Sequence, residues 1–238
     1  MHMNYPVGDM VAGLFGAFSI ATAIADKRRA PDTPGREIDL SATEALLRVL
    51  EPLAVEYEQL GQVRERAGNR ATYTAPSNMY RTADNVWVSL VASSDATFLR
   101  LVEAMGHPEL AEADAYRRNP DRIRNIEPLD GMIGAWFAAQ SYEDVATALR
   151  AREVPFSKVF SIADVVNDPH LRAREAIVRL EDRDLGTIPA PCVVPRFSGY
   201  APRPPRSGPA TGEDNEAIYG ELGITGAQLE ALKAARII

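Results

Sequence analysis

The hydrophobic pattern opens with a charge-free run from Met10 to Ala25, in which Met10, Val11, Leu14, Phe15, Phe18, Ile20 and Ile24 fall on more than one stripe. The spacing predicts a helix to about Arg29 that requires neighbours on several sides. Gly13, Gly16, Ala17 and Ala21 allow close backbone approach, and the Asp9 carboxylate is placed to cap the first turn. A turn at Pro31 to Gly35 and a short extended piece from Arg36 to Leu40 follow. Ser41 and Glu44 then form a capping box for a second helix to roughly Leu60, with Pro52 as a kink.

After the polar stretch from Gly61 to Arg70 the period changes. Ala71 to Met79 reads as a loop, and Tyr80 to Ala92, turning at Asp84-Asn85, reads as a hairpin with a partly buried second strand. Ser94 or Asp95 caps a helix from Ala96 to Met105. Asn125 to Ala139 gathers Ile126, Leu129, Ile133, Trp136 and Phe137 on one face, and Ser141 caps Tyr142 to Arg152. Further on, the pattern predicts a strand at Pro155 to Phe160, short helices at Ile162 to Val166 and Pro169 to Glu175, and strands at Ile177 to Leu180 and Ile188 to Phe197. Pro189, Pro191 and Pro195 confine the last to an edge. A proline-rich linker from Pro202 to Pro209 leads to closing helices at Asn215 to Leu222 and Gly226 to Ala235.

With 238 residues, 46% hydrophobic and 25% charged, the chain can bury a core. Its 26 basic and 33 acidic side chains give a net charge of -7, which argues against a nucleic-acid partner. Cys192 is the only cysteine, which excludes an internal disulfide framework and fits a cytoplasmic location. The first apolar run is shorter than the roughly 20 residues of a membrane span. It also follows Asp9 and no Lys or Arg, unlike a signal peptide, so no membrane partner is expected.

His2, His107 and His170 are dispersed and no paired-cysteine spacing exists, so no metal site is expected. Phosphate-cradling, dinucleotide and nucleophile-elbow glycine motifs are absent from the sequence. His107 before Pro108 reads as a solvated cap, and His170 as a helix-start residue.

Several segments in order carry a resemblance. They are Val7-Gly8-Asp9 before the small-residue helix, Gly35-Arg36-Glu37-Ile38-Asp39-Leu40-Ser41 before the next, Gly68-Asn69-Arg70, and Ala75 to Asp84. The most specific is Val165-Val166-Asn167-Asp168-Pro169-His170-Leu171-Arg172-Ala173-Arg174, followed by Pro195-Arg196-Phe197-Ser198-Gly199 and the terminal stretch from Gly208 to Ile238. Together they resemble the class III CoA-transferases, the formyl-CoA and carnitine CoA-transferase family, across nearly the whole chain. Asp214-Asn215 stands where that family usually has His-Thr.

The resemblance implies an α/β fold: a small α/β domain inserted between the helices and the C-terminal tail of an incomplete Rossmann-like large domain. Residues 1–70 form the helical part of the large domain, 71–185 the small domain, and 186–238 the segment returning to the large one. It further implies an interlocked homodimer, or pairing with a chain supplying the N-terminal half. Family members move CoA from an acyl-CoA to an organic acid through an aspartyl intermediate. The nucleophile and most CoA contacts are expected upstream of Val7-Gly8-Asp9, so this chain reads as a fragment to which no catalytic residue is assigned. Coenzyme A or acyl-CoA is a substrate, and no covalently bound cofactor is expected.

Substrate binding is expected of a covering loop, Tyr73, Thr74, Ala75, Pro76, Ser77, Asn78 and Met79, with Ser77 or Asn78 donating to an acyl oxygen. The loop lacks the glycines of the formyl-CoA transferase pattern, and as an alternative it is an ordinary connector. Asp95 is either a helix cap or the match to a glutamate near the active site of the related α-methylacyl-CoA racemases. Arg64, Arg66 and Arg70 either meet a CoA phosphate or form a solvated charge run. The competing functions are a racemase-like isomerase and a non-catalytic truncated fragment or partner subunit.

Overall fold

The computed structural model describes residues 5–50, 52–200 and 206–238. Contacts divide the chain after Ser157 into two units.

In the first unit, α1 (Val7–Arg29) begins behind Pro6, with Asp9 inside its first turn instead of capping it. There the carboxylate still meets the positive end of the helix dipole, and Lys27, Arg28 and Arg29 complement the other end. No residue of α1 is buried, and Leu14 and Phe18 are 70% and 73% exposed. One stripe packs on α2 (Ala42–Val49) and the segment before it. A Cβ on Gly8 would stand 3.3 Å from Leu46 Cδ1, and one on Gly16 would stand 3.4 Å from Leu40 Cδ2. The small residues therefore let these leucines close on the helix, and the remaining faces lie open. By length and composition alone α1 could cross a membrane. The expectation that it is too short counted only the uncharged run, whereas the helix extends beyond that run at both ends.

Ser41 accepts the Glu44 N–H at 3.4 Å and starts α2 as its spacing predicts. The expected kinked helix is instead two helices, α2 ending at Val49 and α3 spanning Pro52–Leu60. Proline has no N–H to give and its ring clashes with the preceding turn, so it begins a helix more readily than it bends one. Between α1 and α2, none of Gly35 to Leu40 makes a backbone hydrogen bond among the described residues.

The core of this unit is a hairpin covered by helices. β1 (Ser77–Arg81) and β2 (Trp87–Val91) pair antiparallel, with Tyr80 opposite Val88 and Asn78 opposite Leu90, and β3 (Phe156–Lys158) neighbours β2. The turn uses Asn85 at φ 64°, a left-handed conformation that asparagine tolerates. Alternation then sorts the faces. Tyr80, Val88 and Leu90 point inward, while Met79, Trp87 and Val91 point out. Phe98, Leu101 and Val102 of α4 (Asp95–Ala104) close the core with Leu129, Ile133 and Phe137 of α6 (Ile126–Ala138). Val145 and Leu149 of α7 (Tyr142–Ala151) complete it. The Tyr80 and Phe137 rings stack with centroids 5.1 Å apart. The short helix α5 (Asn119–Arg124) precedes α6.

The second unit begins with α8 (Ile162–Asn167), capped reciprocally by Ser161 and Asp164, and α9 (Pro169–Ala173), capped by Asp168. Bonds from Lys158, and then from Ser161, hold the Asp164 carboxyl well below the usual carboxylate range. β4 (Ile177–Asp182) and β5 (Gly186–Pro191) form a hairpin. The strand predicted to reach Phe197 stops at Pro191, in a segment where Pro189 and Pro191 remove two ladder donors. Two helices follow, α10 (Asn215–Glu221) and α11 (Ala227–Ala234). Pro202 to Pro205 of the expected linker lie outside the described residues.

Candidate functional site

The stretch Tyr73 to Met79 lies wholly in the first unit, and the structure divides it. Tyr73 to Pro76 is irregular, whereas Ser77, Asn78 and Met79, expected in the loop, already belong to β1. Tyr73 is 66% exposed, with the Arg64 guanidinium 5.2 Å above its ring, and Thr74 is half-buried. Ala75 and Pro76 are buried.

Burial at Ala75 is tolerable because both of its backbone groups find partners on α5. Its N–H donates to Asn119 Oδ1 at 2.9 Å, and its carbonyl accepts from Arg122 Nε at 2.8 Å. Asn119 Nδ2 also donates to the Tyr73 carbonyl at 3.4 Å. The Pro76 carbonyl accepts the Ala92 N–H at 3.0 Å, and the Ser77 carbonyl the Ala71 N–H at 3.0 Å.

Arg122 has a fully buried side chain. Besides Ala75, its guanidinium donates to the carbonyls of Ser93 at 2.6 Å, Tyr116 at 3.0 Å and Arg117 at 3.3 Å, and to Asp95 Oδ1 at 3.0 Å. It also lies 4.7 Å over the Phe98 ring. This use of a planar five-donor fork makes a buried cation affordable. Among the described residues Asp95 is its one charged partner, and Arg118 Nη1 donates to the other carboxylate oxygen at 2.8 Å. The two guanidiniums, Arg122 first, hold the Asp95 carboxyl below the usual carboxylate range.

Asp95 is accordingly not the cap of α4. Ser94 performs that function, its hydroxyl accepting the Thr97 N–H at 3.1 Å.

A second carboxylate, Asp130 on α6, faces β1. Asn78 Nδ2 donates to it at 3.0 Å and the Tyr80 hydroxyl at 2.6 Å, with Arg70 Nη1 at 3.8 Å. Burial, and then Asp130, push the Tyr80 phenol far above its ordinary value. Asn78 Oδ1 accepts the Met79 N–H at 2.8 Å, so much of this amide's capacity is already used. Ser77 and Met79 instead share the outer face of the hairpin with Trp87, Ser89 and Val91.

Arg70 also bonds Glu127 at 2.6 Å, and Arg64 makes two bonds with Glu56, one from Nε at 2.6 Å. Two members of the arginine run are thus engaged with carboxylates. Asp95 and Asp130 are each clasped by donors, which lowers their power as nucleophiles. Among the described residues no group of three His, Cys, Asp or Glu side chains is placed to hold a metal ion.

Asn119, Arg122 and Asp130 were not singled out from sequence. For Asp130 a signal exists: it lies within one turn of Ile126, Leu129 and Ile133, a charge beside an apolar stripe. For Arg122 there is none, because its partners lie up to 47 residues away.

The sequence profile of CoA-transferase family III matches residues 1–215, and the chain belongs to this family. The chain is similar to the succinyl-CoA–D-citramalate CoA-transferase of Chloroflexus aurantiacus, with 34% identity over 233 residues, 98% of this chain and 58% of that protein. The alpha subunit of a succinyl-CoA–L-malate CoA-transferase from the same organism is 32% identical over 234 residues, covering 98% and 54%. A CaiB/BaiF family protein from Brucella suis shares the fold with a TM-score of 0.74 at 23% identity, over 93% of this chain and 57% of that one. The chain thus spans little more than half the length of these relatives.

Proposed function

We propose that this chain forms part of a class III CoA-transferase that moves CoA from succinyl-CoA to a dicarboxylic acid. The observation that carries the reading is the family match across residues 1–215, together with relatives named for succinyl-CoA and for citramalate or malate. An aspartate in polypeptide beyond these residues attacks the thioester carbonyl, forming a mixed anhydride and releasing CoA thiolate. The thiolate attacks the aspartyl carbonyl, which frees the first acid and leaves an aspartyl-CoA thioester. The incoming carboxylate attacks that thioester, and the thiolate then takes the new acyl group and restores the aspartate.

Every intermediate is open to hydrolysis, so the site has to exclude water. That task falls to Tyr73–Met79, with Ser77 on the open face as donor to an acyl oxygen. In this reading residues 1–70 and 186–238 belong to a Rossmann-like large domain and 71–185 to the small one. Two observations favour it. α1 buries none of its residues, and among the described residues Gly35 to Leu40 finds no backbone partner, as befits an α/β layer lacking its neighbouring strands. In the same reading further polypeptide covers the open faces of α1, and the enzyme works in the cytoplasm. Subunit names among the relatives support an assembly, either an interlocked pair or a pairing with a second chain.

The test is CoA exchange between succinyl-CoA and citramalate or malate. It compares the purified chain alone with the chain joined to, or combined with, the polypeptide encoded immediately upstream. Exchange is expected only in the combination. Turnover by the chain alone would refute the position given to the nucleophile, and a combination that merely hydrolyses succinyl-CoA would refute transfer.

A further inference from the structure

We infer that Asn119 and Arg122 are positioning residues that hold Tyr73–Pro76 as a fixed wall, and that this wall does not open as an independent lid. The inference rests on the covering role proposed above. A mobile lid needs a segment whose backbone can trade its hydrogen bonds for water at little cost. Ala75 is 1% exposed, and both its polar groups are satisfied by α5 side chains, at 2.9 Å from Asn119 and 2.8 Å from Arg122. Swinging the wall out would strip a buried cation and a buried amide of partners together, a far larger penalty than loop opening normally carries. The stretch also contains no glycine to serve as a hinge.

Arg122 bonds the carbonyl of Ser93 and the carboxylate of Asp95 as well as Ala75, so wall, α5 and the start of α4 are tied to one guanidinium. Closure over an acyl group therefore moves these elements as one body.

Amide hydrogen exchange followed by NMR on the 238-residue chain tests this, with Asn119→Ala and Arg122→Lys as variants. In the unaltered chain the Ala75 amide should exchange within about tenfold of the core Leu101 amide. Asn119→Ala should speed Ala75 about tenfold relative to Leu101, as loss of one buried bond predicts. The independent reporter is the Ala92 amide, whose bond to the Pro76 carbonyl neither substitution touches. It should accelerate several-fold in both variants. An Ala75 amide that exchanges freely in the unaltered chain, or an Ala92 amide unmoved in Asn119→Ala, would overturn the clamp. Asn119→Ala decides the matter even where Arg122→Lys does not fold.

In the CoA-exchanging assembly, Asn119→Ala should lower kcat and raise hydrolysis of succinyl-CoA severalfold, with KM for the acid little changed. Loosened amides with unaltered transfer and hydrolysis would leave the clamp standing and overturn the covering role.

Discussion

Breaking the Arg122–Asp95 pair from its two ends should give unequal losses of stability. The Arg122 side chain is fully buried, whereas that of Asp95 is 45% exposed. Arg122→Met removes every bond of the guanidinium, leaving the Ala75, Ser93, Tyr116 and Arg117 carbonyls short of a donor and Asp95 short of one cation. For a buried charge network this amounts to about 3–5 kcal/mol. Asp95→Asn leaves those carbonyl bonds in place; it removes the charge and one of the two acceptor oxygens, so one guanidinium bond is lost at a side chain that water already reaches. A charged hydrogen bond is worth about 1.5–3 kcal/mol, and solvent screening brings it toward about 1 kcal/mol here.

Urea denaturation followed by tryptophan fluorescence reads the difference, since Trp87 and Trp136 are the only tryptophans and both lie in the first unit. The acid limb supplies an internal check. The Asp95 pKa is lowered on folding, so its contribution is fully present above the unfolded value near 4 and disappears as pH falls through the lower folded value. The gap between the unaltered chain and Asp95→Asn should narrow over that range. Equal losses from the two ends, or less than about 2 kcal/mol for Arg122→Met, would refute the account of Arg122 as a buried hub.

Tyr80→Phe should cost about 1–2 kcal/mol through loss of the 2.6 Å bond to Asp130. Because that phenol is raised on folding, its contribution is full below pH ~10 and fades above it. Ultraviolet titration should accordingly show one tyrosine silent until the chain unfolds. Phe137→Ala, which empties a fully buried site stacked on Tyr80, should cost about 3–5 kcal/mol in the same urea assay. Replacing Leu14 and Phe18 together by serine should reduce dye binding and self-association of the isolated chain in light scattering. It should leave the fluorescence transition within about 0.5 kcal/mol, since neither side chain is buried.

Local rules read well where the signal is local. Ser41, Ser94, Ser141 and Ser161 each accept a backbone N–H three residues on, and four helices start where those hydroxyls stand. The partial burial of the hairpin's second strand was equally legible, because a period of two leaves Val88 and Leu90 on one face. At Ser94-Asp95 two capping residues stood side by side, and the sequence left the choice open. The choice is made by Arg122, 27 residues on, which engages the aspartate and leaves the serine to cap. The clamp on Ala75 was illegible for the same reason: it joins residues 44 and 47 positions apart through side chains that are ordinary in their own neighbourhoods. Pro52 divided one predicted helix into two because a proline ring serves a first turn as well as a kink, and spacing alone does not separate the two.

The open flank of α1, beside a segment whose amides and carbonyls have no backbone mates among the described residues, bears on how such a polypeptide is made. Exposed apolar surface of this kind is what chaperones bind and what aggregates grow from. On the assembly proposed above, synthesis together with the missing polypeptide should decide whether the chain accumulates in usable form, and rescue by co-production is the behaviour to look for at the bench.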